Sequence, residues 1–314
     1  MVGVSRPEFL PANLSALTVG ISWAINPPFL LTWNFLVLLA LCFLTITLVS
    51  AFGAQLNTMF DYDIDRKDKY KKDLVRAMEG LGRRKLKAFV VLEFLLSAVT
   101  LYLMWLIEGK LTLLLLWVVG TFLVFAYSTP PIRLKTRSWM QMVAIFLVLS
   151  IVPMLFIFYT FASLPSLLFL IFLAGEASTI YAVIIPTEIR DYFGDSAMRV
   201  KTMTVRLGLR KASFFSIILL TFGGLVCGAT LFVGLYFGTY PWLSVFLIVM
   251  AVADVYVLSR YRKLYGLSKK YRTSKKSSVA REITDLAAHI PRWIMLVTQA
   301  LVFVSLVFLI GKFL

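Results

Sequence analysis

Histidine and cysteine are almost missing from this chain: it has one histidine and two cysteines in 314 residues. His289 stands at a helix entrance and reads as a polar anchor, not as a base or metal ligand. Cys42 and Cys227 lie inside apolar segments with no CxxC spacing, so they read as small core residues and indicate no redox compartment. Charge is scarce as well, at 15% of residues against 60% hydrophobic. Mean hydropathy is +0.86. A soluble domain of this length needs far less apolar surface, and the apolar runs are long enough to cross a bilayer. No short apolar region followed by a small-residue cleavage site opens the chain, so no removable signal peptide is expected. What remains is an all-α integral membrane protein.

Nine apolar stretches are legible, near 10–32, 34–58, 87–107, 111–129, 138–161, 163–187, 212–237, 241–259 and 290–312. Pro27-Pro28 in the first and Pro153 in the fifth predict bent or partly unwound helices. The segments 59–86, 130–137, 188–211 and 260–289 are longer and polar. The net charge of +16 would suit a nucleic-acid partner, but its distribution argues for topology instead. With nine spans, thirty of the 32 Lys and Arg residues fall on one side, and only Lys110 and Lys312 on the other. The positive-inside rule then puts the N-terminus and the long polar segments in the cytoplasm and the C-terminus outside. The basic side meets anionic headgroups of the lipid bilayer, and no nucleic-acid partner is expected. The run Lys269–Ser278 reads as an orientation signal on the membrane surface.

The chemistry begins where the second span ends, at Asn57-Thr-Met-Phe-Asp61-Tyr-Asp63-Ile-Asp65-Arg-Lys-Asp68. At 100° per residue, Asn57, Asp61, Asp65 and Asp68 fall within roughly 80° of one another on a helix, while Asp63 points away. Carboxylates stacked one turn apart repel. A bound cation compensates them, and an oxygen-only donor set suits Mg²⁺ better than zinc. Taken alone, the run also fits a solvated helix end just outside a membrane. Asp68 shares the face but lies deeper into the loop.

A second acidic face follows about 130 residues later, where Glu188, Asp191 and Asp195 stand at i, i+3 and i+7. Both runs close an apolar helix on the same predicted side. Together they imply two carboxylate clusters facing each other across a central cavity, able to hold Mg²⁺ and through it a strongly anionic group. The loop Tyr127-Ser-Thr-Pro130-Pro131-Ile-Arg133-Leu-Lys135-Thr-Arg137 adds cations. Its double proline stops a helix and predicts an extended continuation in which Arg133, Lys135 and Arg137 line one side as a phosphate clamp. Lys201 and Arg83-Arg-Lys85 add further base. Acids, metal and cations beside a deep apolar cavity describe a site for a diphosphate with a long hydrocarbon tail.

At these residues the chain resembles the UbiA superfamily of intramembrane prenyltransferases. Asn57-x3-Asp61-x3-Asp65 is similar to that family's NDxxDxxxD. Asp191-x3-Asp195 followed by Lys201-Thr-Met-Thr-Val-Arg-Leu-Gly208 is similar to its second motif and tail, and Tyr127–Lys135 to its YSxPPxRLK loop. The resemblance covers nearly the whole chain. It implies one polytopic domain over 1–314, in two similar halves of about 1–130 and 131–314, with nine transmembrane helices around a central cavity. It also implies Asn57, Asp61, Asp65, Asp191 and Asp195 as the catalytic and Mg²⁺-binding set. Arg133, Lys135, Lys201, Arg76 and Tyr127 are the implied diphosphate contacts, with Asp68, Glu188 and Glu176 behind them. Thr58 replaces an Asp of the family pattern, and Arg76-Ala-Met-Glu-Gly-Leu-Gly82 replaces an RPxPSG-like run. Arg6–Asn13 resembles the naphthoate, menaquinone-type branch.

The implied reaction is Mg²⁺-dependent transfer of a polyprenyl group from an allylic prenyl diphosphate to a small-molecule acceptor, with an aromatic quinone precursor first. A glycerol-phosphate ether lipid and a tetrapyrrole or carotenoid pigment are the other acceptor classes. The expected location is the cell membrane, with the active site toward the cytoplasm. A cation-coupled transporter is the rival of another class, since Glu93, Glu176 and Asp254 lie within apolar spans, where acids often mark ion paths. Transporters more often show broken helices at the midplane, whereas the acids here cluster at helix ends. The CDP-alcohol phosphotransferases share a DxxxD run, but their DGxxxAR pattern is missing.

Overall fold

Long runs of Leu, Phe, Val and Ile with polar residues only near their ends form helices that are apolar on every side. The computed structural model describes residues 10–25, 32–66, 71–198 and 200–314, and all regular structure among them is helical. In order these are α1 (Leu10–Ala24), α2 (Trp33–Asp65), α3 (Lys72–Leu81), α4 (Arg83–Glu108), α5 (Leu111–Ser128), α6 (Trp139–Phe146), α7 (Val152–Phe161), α8 (Leu167–Ala197), α9 (Met203–Leu207), α10 (Leu209–Gly238), α11 (Leu247–Ser274) and α12 (Ser277–Gly311). Eight helical segments among the described residues are long and apolar enough to cross a membrane, with α6 and α7 counted as one. Of the expected span 10–32, the described helix is α1 alone, and Pro27-Pro28 lies outside the described residues.

Exposed apolar side chains explain the composition. On α4, Val91, Leu95, Val99 and Leu106 are each more than half exposed. Such a surface is stable against lipid tails and not against water. The protein is a multi-pass membrane protein.

The chain divides into two compact units. The first comprises Met1–Gly20, Ala24–Leu134 and Val152–Ser163. Its centre is α2 against α4, pinned by Thr45 donating to Thr100 at 2.8 Å and by Gln55 donating to Glu93 at 2.6 Å. Those bonds matter because polar side chains inside paired apolar helices need protein partners. Phe52, Phe94 and Trp117 pack in tilted ring contacts beside the same seam. Below them α3 is amphipathic and packs Met78 and Leu81 with Met59 and Tyr62 of α2. The α4 helix ends on Gly109 at φ +64°, a left-handed turn that glycine takes without a side-chain clash.

The second unit comprises Ile21–Trp23, Lys135–Ile151 and Leu164–Leu314. The α8 and α10 helices meet at glycine. A Cβ on Gly223 would lie 2.7 Å from the Gly175 carbonyl and 2.2 Å from the Thr179 hydroxyl, so the two backbones are in near contact. Trp23 packs its ring against Phe169, Phe172 and Phe308.

Two expectations change. The segment 260–289 is not a loop: α11 and α12 carry it as helix and only Lys275 and Lys276 connect them. The sequence hid this because its charged residues face outward while Leu264, Leu267, Val279, Ile283 and Ala287 keep an apolar seam at helical spacing. The segment after Pro131 is not extended either, since Leu134–Thr136 is a 3₁₀ turn. The acidic motif is helical as its phase predicts, α2 running on through it to Asp65. Pro153 behaves as read: a π turn at Leu147–Ile151 precedes it, accommodating a residue with no N–H to donate.

Candidate functional site

Because α2 continues to Asp65, its three motif residues lie one turn apart on one face. Each is met by a donor from elsewhere in the first unit. Ser128, the last residue of α5, offers its hydroxyl to Asn57 Oδ1 at 3.4 Å. Arg133 Nη2 donates to Asp61 Oδ1 at 3.0 Å. Lys71 Nζ donates to Asp65 Oδ1 at 2.7 Å. Asp61 and Asp65 are both buried, Asp65 almost completely. Buried carboxylates in a row persist only beside positive charge, and here a guanidinium and an ammonium supply it.

Arg133 reaches Asp61 from an unusual backbone. It sits at φ +40°, beyond a cis Pro130–Pro131 bond, and its N–H closes a turn on the Thr129 carbonyl at 2.9 Å. Left-handed conformation in a non-glycine residue is uncommon and costs about 1–3 kcal/mol, and it is found where the surroundings hold a functional side chain in place. Tyr127, on the last turn of α5, is half-buried.

In the second unit, α8 carries the other acids. Arg190 grips Asp191 through both oxygens, at 2.6 and 3.0 Å. Asp195 is half-buried two helical positions short of the α8 terminus, and its carbonyl accepts from Val200 at 2.9 Å. Glu188 faces inward and organises the next segment. It accepts Gln141 Nε2 at 2.9 Å, the Thr204 hydroxyl at 2.7 Å and the Thr204 N–H at 3.2 Å. The Gln141 amide oxygen takes the Met203 N–H at 3.0 Å. Acid and amide together thus cap the short α9 helix, whose first turn carries orphan N–H groups and the positive end of the helix dipole. Ser138 adds two bonds to the Lys201 carbonyl, at 3.2 Å from its N–H and 3.1 Å from its hydroxyl. The backbone of Lys201 is therefore fixed while its side chain stays exposed. Lys135 is half-buried in the 3₁₀ turn that begins at Leu134.

Other sequence expectations land elsewhere. Arg76 is exposed and forms a surface ion pair with Asp73 at 3.6 Å. Asp63 is exposed, as its helical phase predicts. Asp68 and Arg6–Phe9 lie outside the described residues. Thr58 turns its hydroxyl back onto the Ala54 carbonyl at 2.9 Å, closing its own helix. Glu176 accepts the Ser150 hydroxyl of the π turn, fifteen residues before Asp191 on α8, or about 22 Å along it. Glu93 and Glu176 are thus hydrogen-bonded helix-packing carboxyls, each with a neutral partner.

Sequence reading missed Gln141, a lone amide in an apolar stretch, and left Arg190 and Lys71 without roles. A glutamine inside an otherwise apolar span was the available signal for the first, since such a group needs partners.

Among the described residues no three carboxylate, histidine or cysteine side chains converge into a ready-made metal cage. The donors of each unit nonetheless suit a hard dication: they are oxygen only and closely spaced on one helix face, with Asp61, Asp65 and Asp191 each beside a cation. On chemistry the residues fit Mg²⁺ and not a softer metal.

A family model described as the UbiA prenyltransferase family matches residues 13–279. Among solved structures, a UbiA homolog from Archaeoglobus fulgidus bound to GPP and Mg²⁺ superposes with a TM-score of 0.60 at 16% identity, over 94% of this chain and 98% of that one. The apo UbiA homolog from Aeropyrum pernix K1 gives 0.61 at 16%, over 92% and 98%. A digeranylgeranylglyceryl phosphate synthase gives 0.61 at 15%, over 97% and 96%. No curated protein sequence matches. At these identities the structures establish the fold, and the family model establishes the kinship: the chain belongs to the UbiA prenyltransferase family and is by family a membrane-embedded prenyltransferase, not a transporter.

Proposed function

We propose that this enzyme transfers a polyprenyl group from an allylic prenyl diphosphate to a small-molecule acceptor in a Mg²⁺-dependent reaction that releases diphosphate. One observation carries the reading: buried Asp61 and Asp65 stand one turn apart on α2, with Asn57 before them and the Arg133 guanidinium on Asp61. We read the chain as one prenyltransferase domain over 1–314, in two similar halves of about 1–130 and 131–314, each supplying one acidic motif. Asn57, Asp61, Asp65, Asp191 and Asp195 would hold Mg²⁺. When bound, the ion neutralises diphosphate oxygens and lowers the cost of their leaving with the electron pair.

The remaining steps fall to this chain's own side chains. Arg133 already touches Asp61, so a diphosphate held at that acid lies within reach of its fork. Lys135, Lys201 and Tyr127 supply further donors, with Arg76 at the margin. Donors placed in advance where charge develops stabilise the transition state most where water is scarce. The allylic C–O bond breaks, the diphosphate keeps the electron pair, and the acceptor's nucleophilic atom, a ring carbon in a quinone precursor or a hydroxyl oxygen in a glycerol phosphate, forms the new bond and gives its proton to the released diphosphate or to water. Apolar walls of Leu, Phe and Val would keep water from the cationic carbon.

The acceptor is read first as an aromatic quinone precursor, from the resemblance at Arg6–Asn13. Fold likeness to the digeranylgeranylglyceryl phosphate synthase supports a glycerol-phosphate ether lipid as the second reading. The charge asymmetry supports a site opening to the cytoplasm. Offering geranylgeranyl and longer diphosphates against both acceptor classes, with Mg²⁺ or with EDTA, tests the assignment by mass spectrometry of products. A prenylated product only with Mg²⁺ is expected. No Mg²⁺-dependent diphosphate release from any allylic donor would overturn it.

A further inference from the structure

The second unit holds a basic cleft that the transfer chemistry does not use. It encloses about 530 Å³ between the start of α10 and the end of α11, and its wall carries Arg210, Lys211, Arg272 and Lys275 with Tyr192 and Tyr271. Among the described residues no carboxylate lines it. None of the four cations forms an ion pair among the described residues. Four like charges in one cleft repel, so the arrangement gains from an anion. Gly208, at φ +76°, turns the chain into α10 with no side-chain cap, and the first-turn N–H groups of that 30-residue helix open at the same wall. The carbonyl end of α11 opposes them with about half a charge, far less than the four cations contribute. A T-shaped contact of Tyr271 with Phe193, and of Phe193 with Tyr192, keeps the aromatic side rigid.

What distinguishes a lipid from a soluble anion is the surface leading away from the cleft. Phe214 and Ile218 follow Arg210 at i+4 and i+8 on α10, and both are about half exposed. Phe214 packs on Tyr265 of α11 with ring centroids 5.6 Å apart. A cationic cleft therefore continues into an exposed apolar stripe along one helix face. That is the profile of a phosphate headgroup above an acyl chain.

We propose that this cleft binds an anionic phospholipid, with its headgroup phosphate on Arg210, Lys211, Arg272 and Lys275 and a chain along Phe214 and Ile218. The test uses the full-length protein in neutral detergent, titrated separately with phosphatidylglycerol, phosphatidylcholine and inorganic diphosphate. Melting temperature and native mass spectrometry are the readouts. Phosphatidylglycerol is expected to bind and raise the melting temperature, phosphatidylcholine to do neither, and the R210Q/R272Q double variant to bind phosphatidylglycerol at least about tenfold more weakly. Prenyl transfer by the delipidated double variant stays at the delipidated wild-type level. If that variant does not fold, K275Q, at the connection between α11 and α12, is expected to show a smaller loss of the same selectivity. Equal binding of both lipids, undiminished binding in the variants, or binding of diphosphate alone would each overturn the proposal.

Discussion

Arg133 donates to Asp61 at 3.0 Å while holding a left-handed backbone conformation. An acid read as a metal ligand and a base read as a phosphate contact are thus in direct contact within one unit. The pairing gives the guanidinium two tasks, offsetting the carboxylate and presenting its fork beside it. A lysine can perform the first, but it lacks the planar fork needed for the second. We expect Arg133→Gln to lower kcat about 100-fold or more, the size of losing one preorganised donor to a leaving anion. Arg133→Lys should recover part of that loss. Steady-state kinetics with an allylic diphosphate decide it; equal activity of Arg133→Lys and wild type would show that the fork is irrelevant.

Asp61 and Asp191 each meet a guanidinium, one from the loop after α5 and one from the preceding residue. If both acids hold Mg²⁺, either Asp61→Ala or Asp191→Ala abolishes transfer without unfolding the protein. Asp→Asn at the same sites should raise the Mg²⁺ concentration needed for half-maximal rate, because a neutral amide oxygen is a poorer ligand for a hard dication. Diphosphate release across a Mg²⁺ titration measures both effects, and a melting curve confirms folding. Full activity of both alanine variants would remove these residues from the site.

The acidic face of α2 was legible because charge repulsion and helical phase are local properties. Asn57, Asp61 and Asp65 needed only the 100° rule and the observation that like charges one turn apart require compensation. Asp63 was rejected on the same arithmetic and is exposed. The segment after Pro131 was misread as extended, because a proline restricts the residue before it and says little about the 3₁₀ turn that follows. Continuation of α11 and α12 through a basic stretch was hidden by its charge count, although its apolar spacing was present. The partners Lys71 and Gln141 depend on which helices pack together, and periodicity along one helix carries no such information.

Glu188 illustrates a non-local contribution. Three donors converge on its carboxylate, and two of them belong to Thr204, just beyond Lys201. Glu188→Ala leaves those buried donors unsatisfied and should cost about 3 kcal/mol of stability, each orphan being worth roughly 1–3 kcal/mol before relaxation. Gln141→Leu removes the bridge to Met203 while sparing the Thr204 bonds, so its cost should be smaller, about 1–2 kcal/mol. If the network positions Lys201, Gln141→Leu also raises KM for the prenyl diphosphate with little change in kcat. A melting curve alongside a KM and kcat determination checks this, and a stability loss with unchanged KM would limit the network to folding.

Asp65 is the most buried acid of the first motif, and Lys71 Nζ donates to it at 2.7 Å. Lys71→Met should cost about 2 kcal/mol, since it strips a charged hydrogen bond from an enclosed carboxylate. Added Mg²⁺ should restore part of the lost melting temperature, because a ligand that binds only the folded state stabilises it. That rescue should vanish in Lys71→Met/Asp65→Asn, which no longer presents the ionised acid. Rescue of equal size in both variants would place the stabilising ion elsewhere.

Lys110 and Lys312, the two cations that charge counting sets apart from the other thirty, are both helix caps. Lys110 Nζ reaches the Tyr159 and Thr160 carbonyls at 3.0 and 3.3 Å, at the end of α7. Lys312 Nζ reaches the Ser22 carbonyl at 2.9 Å, at the end of α1, and lies 4.6 Å from the centroid of the Phe308 ring. Each therefore satisfies terminal carbonyls and neutralises the negative end of a helix dipole. Each of these two lysines thus has a structural task within its own unit. Lys110→Met and Lys312→Met should each lose about 1 kcal/mol of stability, within the range for a partly buried cation at a helix C-terminus, with kcat and KM for prenyl transfer unchanged. Arginine at either position should retain most of the stability, because it too can donate to carbonyls. Thermal melts in one detergent measure the loss, and methionine variants as stable as wild type would show that the caps contribute nothing.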